Sequence, residues 1–594
     1  MNDSPQTICA VLDATARAHG DRPAMRAKRD GSWQTTTWSE YRDQARRVAR
    51  GLMTLGTRPG QGVAVMGFNR PEWFLSDIGA VLAGAVPAGI YTTNTPELCR
   101  YIAHHAEATV AVVENQTYLE VFRSIRGDLP HLEALVVMDG EGDPSDGVLS
   151  WSELLDRGDE APEAELEARI EPQRADDCCT LIYTSGTTGP PKAVKLSHRN
   201  IIWIARRLVE TFKLAPGDAM FSYLPLSHIA EQVVSLHSPM ATGACSWFAE
   251  SLDALRDNLL EAHPDFFFGV PRVWEKLQAG IEAAAAQAPP LRRRIAAWAR
   301  DLGLRGGYAD QRGERRPLLY PLARRLVFDK VRARLGLDRA RILATSAAPI
   351  SRDTLEFFLS LGVPLMEVYG MSECTGPTTF STPDRYRTGS AGWAIPGTEL
   401  RTAGDGEILM RGPHVFLGYL KDDEATAEAL DADGWLHSGD IGELDPDGYL
   451  WVTDRKKELL ITSGGKNIAP QVLEGKLRDL PAVSQAVVVG DRRNYVAALL
   501  TLDPDRLPVE TRAAGSPAST PEQAATCPAF RRYLEDQVEA LNGDLARYES
   551  IKRFTVLPRE LSVDGGELTP TMKLKRRVVY EKYAAEIEAL YAEA

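Results

Sequence analysis

Cysteine is scarce: there are seven in 594 residues, an odd number, with Cys178 and Cys179 adjacent and no paired CxxC spacing. That excludes a disulfide framework and structural zinc, and a reducing compartment follows. Long hydrophobic runs are missing too. The longest uncharged apolar stretch, residues 78–90, is interrupted by Gly79, Gly84, Pro87 and Gly89, and it falls short of the roughly 18 to 20 residues that span a bilayer. The first residues, MNDSPQTICAVLDATARAHGD, carry Asp3 and Asp13 and place no apolar core behind basic residues, so no secretory signal is read there. Basic charge is in deficit, 68 Lys and Arg against 82 Asp and Glu, for a net charge of −14. A chain of that sign does not grip nucleic acid through its whole surface. Disorder is excluded as well, because 44% of residues are hydrophobic and 25% charged. No Ser/Gly/Pro-rich linker occurs before about residue 500, so several folding units and one large compound body both fit the length.

Short β-branched runs alternate with helix-like stretches. VAVMGF (63–68), ATVAVVE (108–114) and ALVVMD (134–139) read as strands, and TWSEYRDQARRVARGLMTLG reads as a helix. This alternation predicts an α/β body of mixed or parallel sheets flanked by helices. Near 454–466 the chain reads DRKKELLITSGGK, a charge cluster, an apolar trio and a Gly pair that together suit a hinge. Beyond it AVSQAVVVG and YVAALLTL read as strands, PAFRRYLEDQVEALNGDLA as a helix, and about forty residues around GSPASTPEQAAT as a loop. The expected division is a large amino-terminal body, 1–455, and a small mobile α+β domain, 456–594.

Residues 292–334 hold thirteen Arg or Lys against four Asp or Glu. A pair of solvated amphipathic helices accounts for this. So does a surface for anionic lipid headgroups or a polyphosphate, with Trp298, Leu318, Leu322 and Phe328 covering the apolar side.

The sharpest segment is TLIYTSGTTGPPKAVKLSHRN, 180–200. An apolar strand runs into Thr184, Ser185, Gly186, Thr187, Thr188 and Gly189, then two prolines and Lys192. Glycines let backbone amides turn toward an anion, hydroxyls add donors, and the lysine adds a full charge. A Walker A loop requires GxxxxGK followed by Ser or Thr leading directly into a helix; here the glycines are three apart and prolines precede the lysine, so that spacing fails. A Gly/Thr hairpin without a ligand is the other reading.

YTSGTTGPPK resembles the signature of the adenylate-forming superfamily of acyl-CoA synthetases, luciferase-like enzymes and peptide-synthetase adenylation domains. LPLSH (224–228), YGMSE (369–373), SGD (438–440), DRKKE (454–458) and TPTMK (569–573) follow in the order of that family. The resemblance covers nearly the whole chain. VPRVWEKL (270–277) and the basic insertion are similar to the long-chain fatty acyl-CoA synthetase branch, nearest the bubblegum type.

The resemblance implies a two-step reaction. A carboxylate attacks the α-phosphate of ATP, and the acyl group then passes to a thiol. By resemblance, Thr184 through Gly189 and Lys192 hold the β- and γ-phosphates, and Glu373 with Thr184 ligates Mg2+. Tyr369, Gly370, Met371 and Ser372 wall the adenine slot, with Ala347 and Ala348 of the 345–349 segment on another edge. Asp440 and Arg455 bind the ribose hydroxyls, and His228 lies beside the reacting carboxylate. Lys573 reaches the α-phosphate, Lys457 is the hinge, and Gly464, Gly465 and Lys466 serve the thiol step. Two positions depart from the family pattern: Met572 stands before Lys573 and Ala193 after Lys192, where glycines are usual. Taken alone, Glu373 suits an exposed carboxylate, GDIGELDPDG an acidic turn, His228 a structural histidine, and KLKRR a basic tail. Cys178 and Cys179 read as core.

The implied function is an ATP-, Mg2+- and CoA-dependent ligase acting on a long-chain fatty acid. The alternatives are a fatty acyl-AMP ligase that loads a carrier protein and a non-catalytic acyl- or nucleotide-binding relative. No nucleic-acid partner is expected. A cytoplasmic location is expected, with peripheral contact to anionic membrane at its inner face as the functional reading of 292–334.

Overall fold

The computed structural model describes residues 6–184, 190–456, 458–463, 466–543, 545–563, 565–569 and 573–592. Ser185 to Gly189, Lys457, Gly464 and Gly465 therefore lie outside the described residues, as do Pro570 to Met572 of the last motif.

The expected α/β architecture is present. An eight-stranded sheet runs in the order Gly418–Tyr419, Lys192–Ser197, Cys178–Thr184, Val86–Ile90, Gly62–Met66, Ala108–Val113, Ala134–Val137, Val148–Ser150. Its central strands pair in parallel and are buried on both faces. That burial explains why they read as unbroken apolar runs without alternation. The helix Trp38–Thr54 packs on the helices Pro71–Leu82 and Trp151–Glu160 and is started by a reciprocal cap in which Thr37 and Glu40 satisfy each other's backbone N–H groups. A nine-stranded sheet holds Gly376–Phe380, Met366–Met371, Ile342–Thr345, Phe266–Gly269, Ala219–Ser222 and Cys245–Phe248 in that spatial order, with further strands at each edge. A four-stranded antiparallel sheet ends in Leu436–Leu444 and Leu450–Arg455.

After residue 458 the chain builds a separate core. Val483–Val489, Val496–Leu502 and Ile551–Val556 form a three-stranded sheet. Leu473, Leu477, Phe530 and Leu534 pack on one face of it, and Leu561, Val579 and Leu590 on the other. The segment read as a forty-residue loop instead carries the helices Leu507–Ala513 and Pro521–Thr526, the second capped by Thr520. Each is too short to announce itself by periodicity.

The basic stretch folds into the helix Pro290–Gln311, a return helix Tyr320–Ala323, one wide π turn Arg324–Phe328 and Asp329–Arg334. Phe328 and Tyr320 pack into Ala299 and Leu302 with Trp298 beside them. Two of the four side chains expected on its apolar outer face thus lie inside the hairpin. Leu318 and Leu322 stay in solvent. Among the described residues no helix is long and apolar enough to cross a membrane.

Candidate active site

The strands Ile342–Thr345 and Met366–Met371 are adjacent and parallel, so the segments leaving their carboxyl ends emerge side by side, where open α/β sheets place ligands. A cavity of about 850 Å³ opens there. Its walls include Thr184, Lys192, His228, Ser346, Ala347, Gly370, Met371, Ser372 and Glu373 of the large body, with Asp440 and Arg455 at its border. Lys573, Leu574, Lys575, Arg577 and Val578 come from the second core. Leu208, Phe212, Val233, Val234, Phe266 and Phe268 give the same cavity an apolar wall.

Asp440 and Arg455 face each other across an antiparallel pair of strands, in register. Arg455 Nε lies 3.2 Å from Asp440 Oδ1, and the Tyr369 hydroxyl donates to Asp440 Oδ2 at 2.8 Å. Burial raises the Asp440 carboxyl above its ordinary range, opposed by the Arg455 charge, the Tyr369 hydroxyl and Lys573. Lys573 is lowered below the ordinary lysine range by burial and by Arg455, while Asp440, Glu373 and Glu458 pull it back up. Its loop is pinned on both sides. Lys573 N–H donates to Thr569 Oγ1 at 3.0 Å, Lys575 N–H to the Glu567 carbonyl at 2.8 Å, and Leu568 bridges Leu574. Just beyond, the largely buried Arg576 sits 2.6 Å from Glu474 and 3.5 Å from Glu458.

His228 caps the short helix Ile229–Glu231, its Nδ1 accepting the Ala230 N–H at 3.2 Å. Burial and then Lys573 push its pKa down to about 3. The ring is therefore neutral at physiological pH, and because Nδ1 accepts, the proton is assigned to Nε2. Gly370 lines the cavity and is also constrained from behind: a Cβ at that position would collide with the Gly376 carbonyl of the neighbouring strand. Ala347 holds a φ of +75°, a left-handed conformation costly for alanine. Its neighbour Ala348 is exposed and is not part of the cavity wall. Lys466 is exposed, its ammonium 5.8 Å from the Tyr548 ring centroid and likewise away from this cavity.

Three side chains at the site were not singled out from the sequence. Tyr419 donates its hydroxyl to Glu373 Oε1 at 2.7 Å while Lys192 Nζ lies over its ring, 4.9 Å from the centroid. The ring thus stands between an acid and a base that belong to different motifs. Glu231, fully buried, accepts at Oε1 from Ser222 and Ser235, each at 2.7 Å, and from Asn69 Nδ2 at 3.2 Å. Asn69 also donates to Ser222 Oγ at 2.8 Å and to the Leu224 carbonyl at 2.7 Å. The segment that carries His228 is anchored by these bonds. Burial raises the Glu231 carboxyl to about 7. The one available signal was Glu231 standing three residues after His228; nothing in the spacing pointed to Tyr419.

Glu373 and Thr184 are the oxygen donors the sequence assigns to a cation. Among the described residues no group of three or more His, Cys, Asp or Glu side chains could hold a metal ion by itself. A cation that keeps water and phosphate oxygens needs only one or two protein oxygens, so this donor set fits Mg2+ delivered with a nucleotide.

The family description "AMP-binding enzyme" matches residues 12–420, and "AMP-binding enzyme C-terminal domain" matches 457–594. The chain belongs to the AMP-binding enzymes. Among curated members of the family, it is 40% identical to the long-chain-fatty-acid–CoA ligase ACSBG2 of Xenopus laevis, covering 99% of this chain and 84% of that protein. It is 37% identical to the human protein of the same name, covering 99% and 93%. The resemblance to the bubblegum branch stands. Of solved AMP-binding folds, the adenylation domain of a carboxylate reductase from Mycobacterium chelonae superposes with a TM-score of 0.77 at 23% identity, covering 100% of this chain and 92% of that one. The anthranilate CoA ligase AuaEII, in complex with anthranoyl-AMP, gives 0.74 at 21%, covering 99% and 100%.

Proposed function

We propose that the chain is an ATP-dependent acid–thiol ligase that converts a long-chain fatty acid to acyl-AMP, with release of pyrophosphate, and then transfers the acyl group to CoA with release of AMP. The observation that carries this reading is the meeting of Lys573, from the second core, with Glu373, Asp440 and Arg455 on one cavity that also has an apolar wall. The acid is ionised at pH 7 and needs no general base; what the first step requires is positive charge and donors where phosphate charge builds up.

In this reading Tyr369 stacks on adenine, with Ala347, Met371 and Ser372 beside it, and the Asp440–Arg455 pair takes the ribose hydroxyls. Lys192, with the 184–189 segment, takes the terminal phosphates. The Lys573 ammonium bridges the α-phosphate and the attacking carboxylate, and the His228 Nε2–H faces that carboxylate. The acyl chain lies along Phe212, Val234, Phe266 and Phe268. Glu373 and Thr184 would hold Mg2+, which supplies Lewis-acid neutralisation of the phosphates when bound. For the thiol step we take 1–455 and 456–594 as the moving parts, Lys457 as the pivot, and Gly464, Gly465 and Lys466 as the loop that meets CoA. All seven cysteines are free, in keeping with a cytoplasmic setting.

Hydroxamate trapping across acids of increasing length, with CoA-dependent AMP release, tests the assignment. Pyrophosphate release with no acid in the panel would overturn it. Release without a CoA requirement would move the acceptor to a carrier-protein thiol. Lys573→Ala is expected to abolish carboxylate-dependent pyrophosphate exchange and to spare thioester formation from supplied acyl-adenylate; unchanged exchange removes Lys573 from the first step. Lys457→Pro is expected to slow the thiol step more than adenylation.

A further inference from the structure

Leu318, Leu319, Leu322 and Leu326 are exposed to 96%, 49%, 47% and 42%. Leu318 and Leu319 precede the return helix Tyr320–Ala323, Leu322 lies in it and Leu326 in the π turn that follows, while Tyr320, Ala323 and Phe328 pack inward against Ala299 and Leu302. Leu291 and Ile295, at the start of the preceding helix, are exposed as well. Six of the thirteen large exposed apolar side chains among the described residues thus fall within 291–326, and four of them within the nine residues 318–326, a concentration that isolated surface apolar residues do not show.

The charges in this segment are also unusual. Arg305, Arg312, Arg316 and Arg324 each pair with a local carboxylate. Arg292, Arg293, Arg294, Arg315 and Arg325 are exposed and have no carboxylate partner among the described residues. Unpaired Arg315 and Arg325 in the same short segment as four outward leucines, on a chain of net charge −14, call for a partner that is anionic at its surface and apolar just beneath.

We propose that the outer face of residues 315–326 docks on the surface of an anionic phospholipid bilayer. The leucines enter the headgroup–acyl boundary, and the unpaired arginines contact lipid phosphates. Nucleic acid would use the arginines but offer nothing to aliphatic side chains, since single strands are held by aromatic stacking. The docking does not depend on the reaction proposed above, and its test reads binding alone.

The full chain is sedimented with vesicles of phosphatidylcholine and with vesicles containing about one-third phosphatidylglycerol, at about 50 mM and about 500 mM salt. The expected result is binding to the anionic vesicles only, weakened by salt. The variant L318D/L322D/L326D and the variant R315E/R325E are each expected to lower the partition coefficient tenfold or more, with unchanged thermal transitions and unchanged pyrophosphate exchange on a short, water-soluble acid. Equal binding to both vesicle types, no binding to either, or variants that bind like the parent overturn the proposal. A concentration-dependent dimer that L318D/L322D/L326D abolishes, with no vesicle binding, would give this face to a second copy of the chain and overturn it too.

Discussion

Replacing Tyr419 with Phe removes one oxygen and leaves the ring beneath Lys192 in place. The lost contact is a 2.7 Å hydrogen bond to a carboxylate, a charge-assisted type worth about 1.5–3 kcal/mol. Without that donor Glu373 is free to turn toward Lys192, whose ammonium lies over the same ring, and an ion pair between them would withdraw both from a bound nucleotide. If the full contribution is felt in the adenylation transition state, carboxylate-dependent pyrophosphate exchange falls roughly 10- to 150-fold. Tyr419→Leu also loses the cation–π contact, about a further 0.5–2 kcal/mol, and is expected to fall lower. The thiol step, started from supplied acyl-adenylate, serves as the internal control and is expected to change little. Phe and Leu variants that both retain exchange within a factor of two would refute the reasoning, and so would equal loss in both half-reactions.

Asp77 is buried, its Oδ2 has no hydrogen-bond partner, and its pKa is pushed up to about 7 by burial. The native state therefore keeps a proton that the unfolded chain gives up near pH 4, and its contribution to stability declines as pH rises from about 4 to about 7. Asp77→Asn is expected to stabilise the large body by on the order of 2–4 kcal/mol at pH 8 and to change little at pH 4, read by denaturant unfolding at both values. Arg576→Met leaves Glu474 buried without its partner; a loss of about 3–5 kcal/mol is expected in the thermal transition of the second core, together with slower adenylation because the Lys573 loop loosens. Phe212 lines the cavity and packs on Phe266 and Phe380 with ring centroids 5.4 and 5.5 Å apart. Phe212→Ala is expected to shift the hydroxamate profile toward longer acids, and an unchanged profile would place the chain end elsewhere.

The residues that were legible are those whose chemistry is written in a short contiguous segment. Lys192, Tyr369, Glu373 and Asp440 stand inside motifs whose composition already suits an anion or a nucleotide; Lys192, Glu373 and Asp440 line the same cavity, and Tyr369, which does not line it, is tied to it through its hydroxyl bond to Asp440. The central strands were legible because burial on two faces leaves continuous runs of Val and Ala. Contacts made across long stretches of chain were not legible. Tyr419 meets Glu373 only because the Gly418–Tyr419 strand pairs with Lys192–Ser197, and no local pattern encodes that pairing. The second constraint on Gly370 was not legible either, because the Gly376 carbonyl that excludes a side chain there arrives from the next strand. The helices inside 503–527 escaped notice because each has two turns or fewer. In the basic hairpin, composition gave the charge surplus, while tertiary packing decided which apolar side chains turned inward.

Asn69 follows the last residues of one large sheet and Ser222 ends a strand of the other, and both converge on the Glu231 carboxylate. The two sheets are thus bolted together through a buried polar group. Prising them apart would take at least one of these donors from that carboxyl and leave it to Ser235 and whichever neighbour stays with it, a penalty that opposes separation of the two sheets. The base of the cavity is thereby held as one piece across both sheets, an anvil against which the second core sets Lys573.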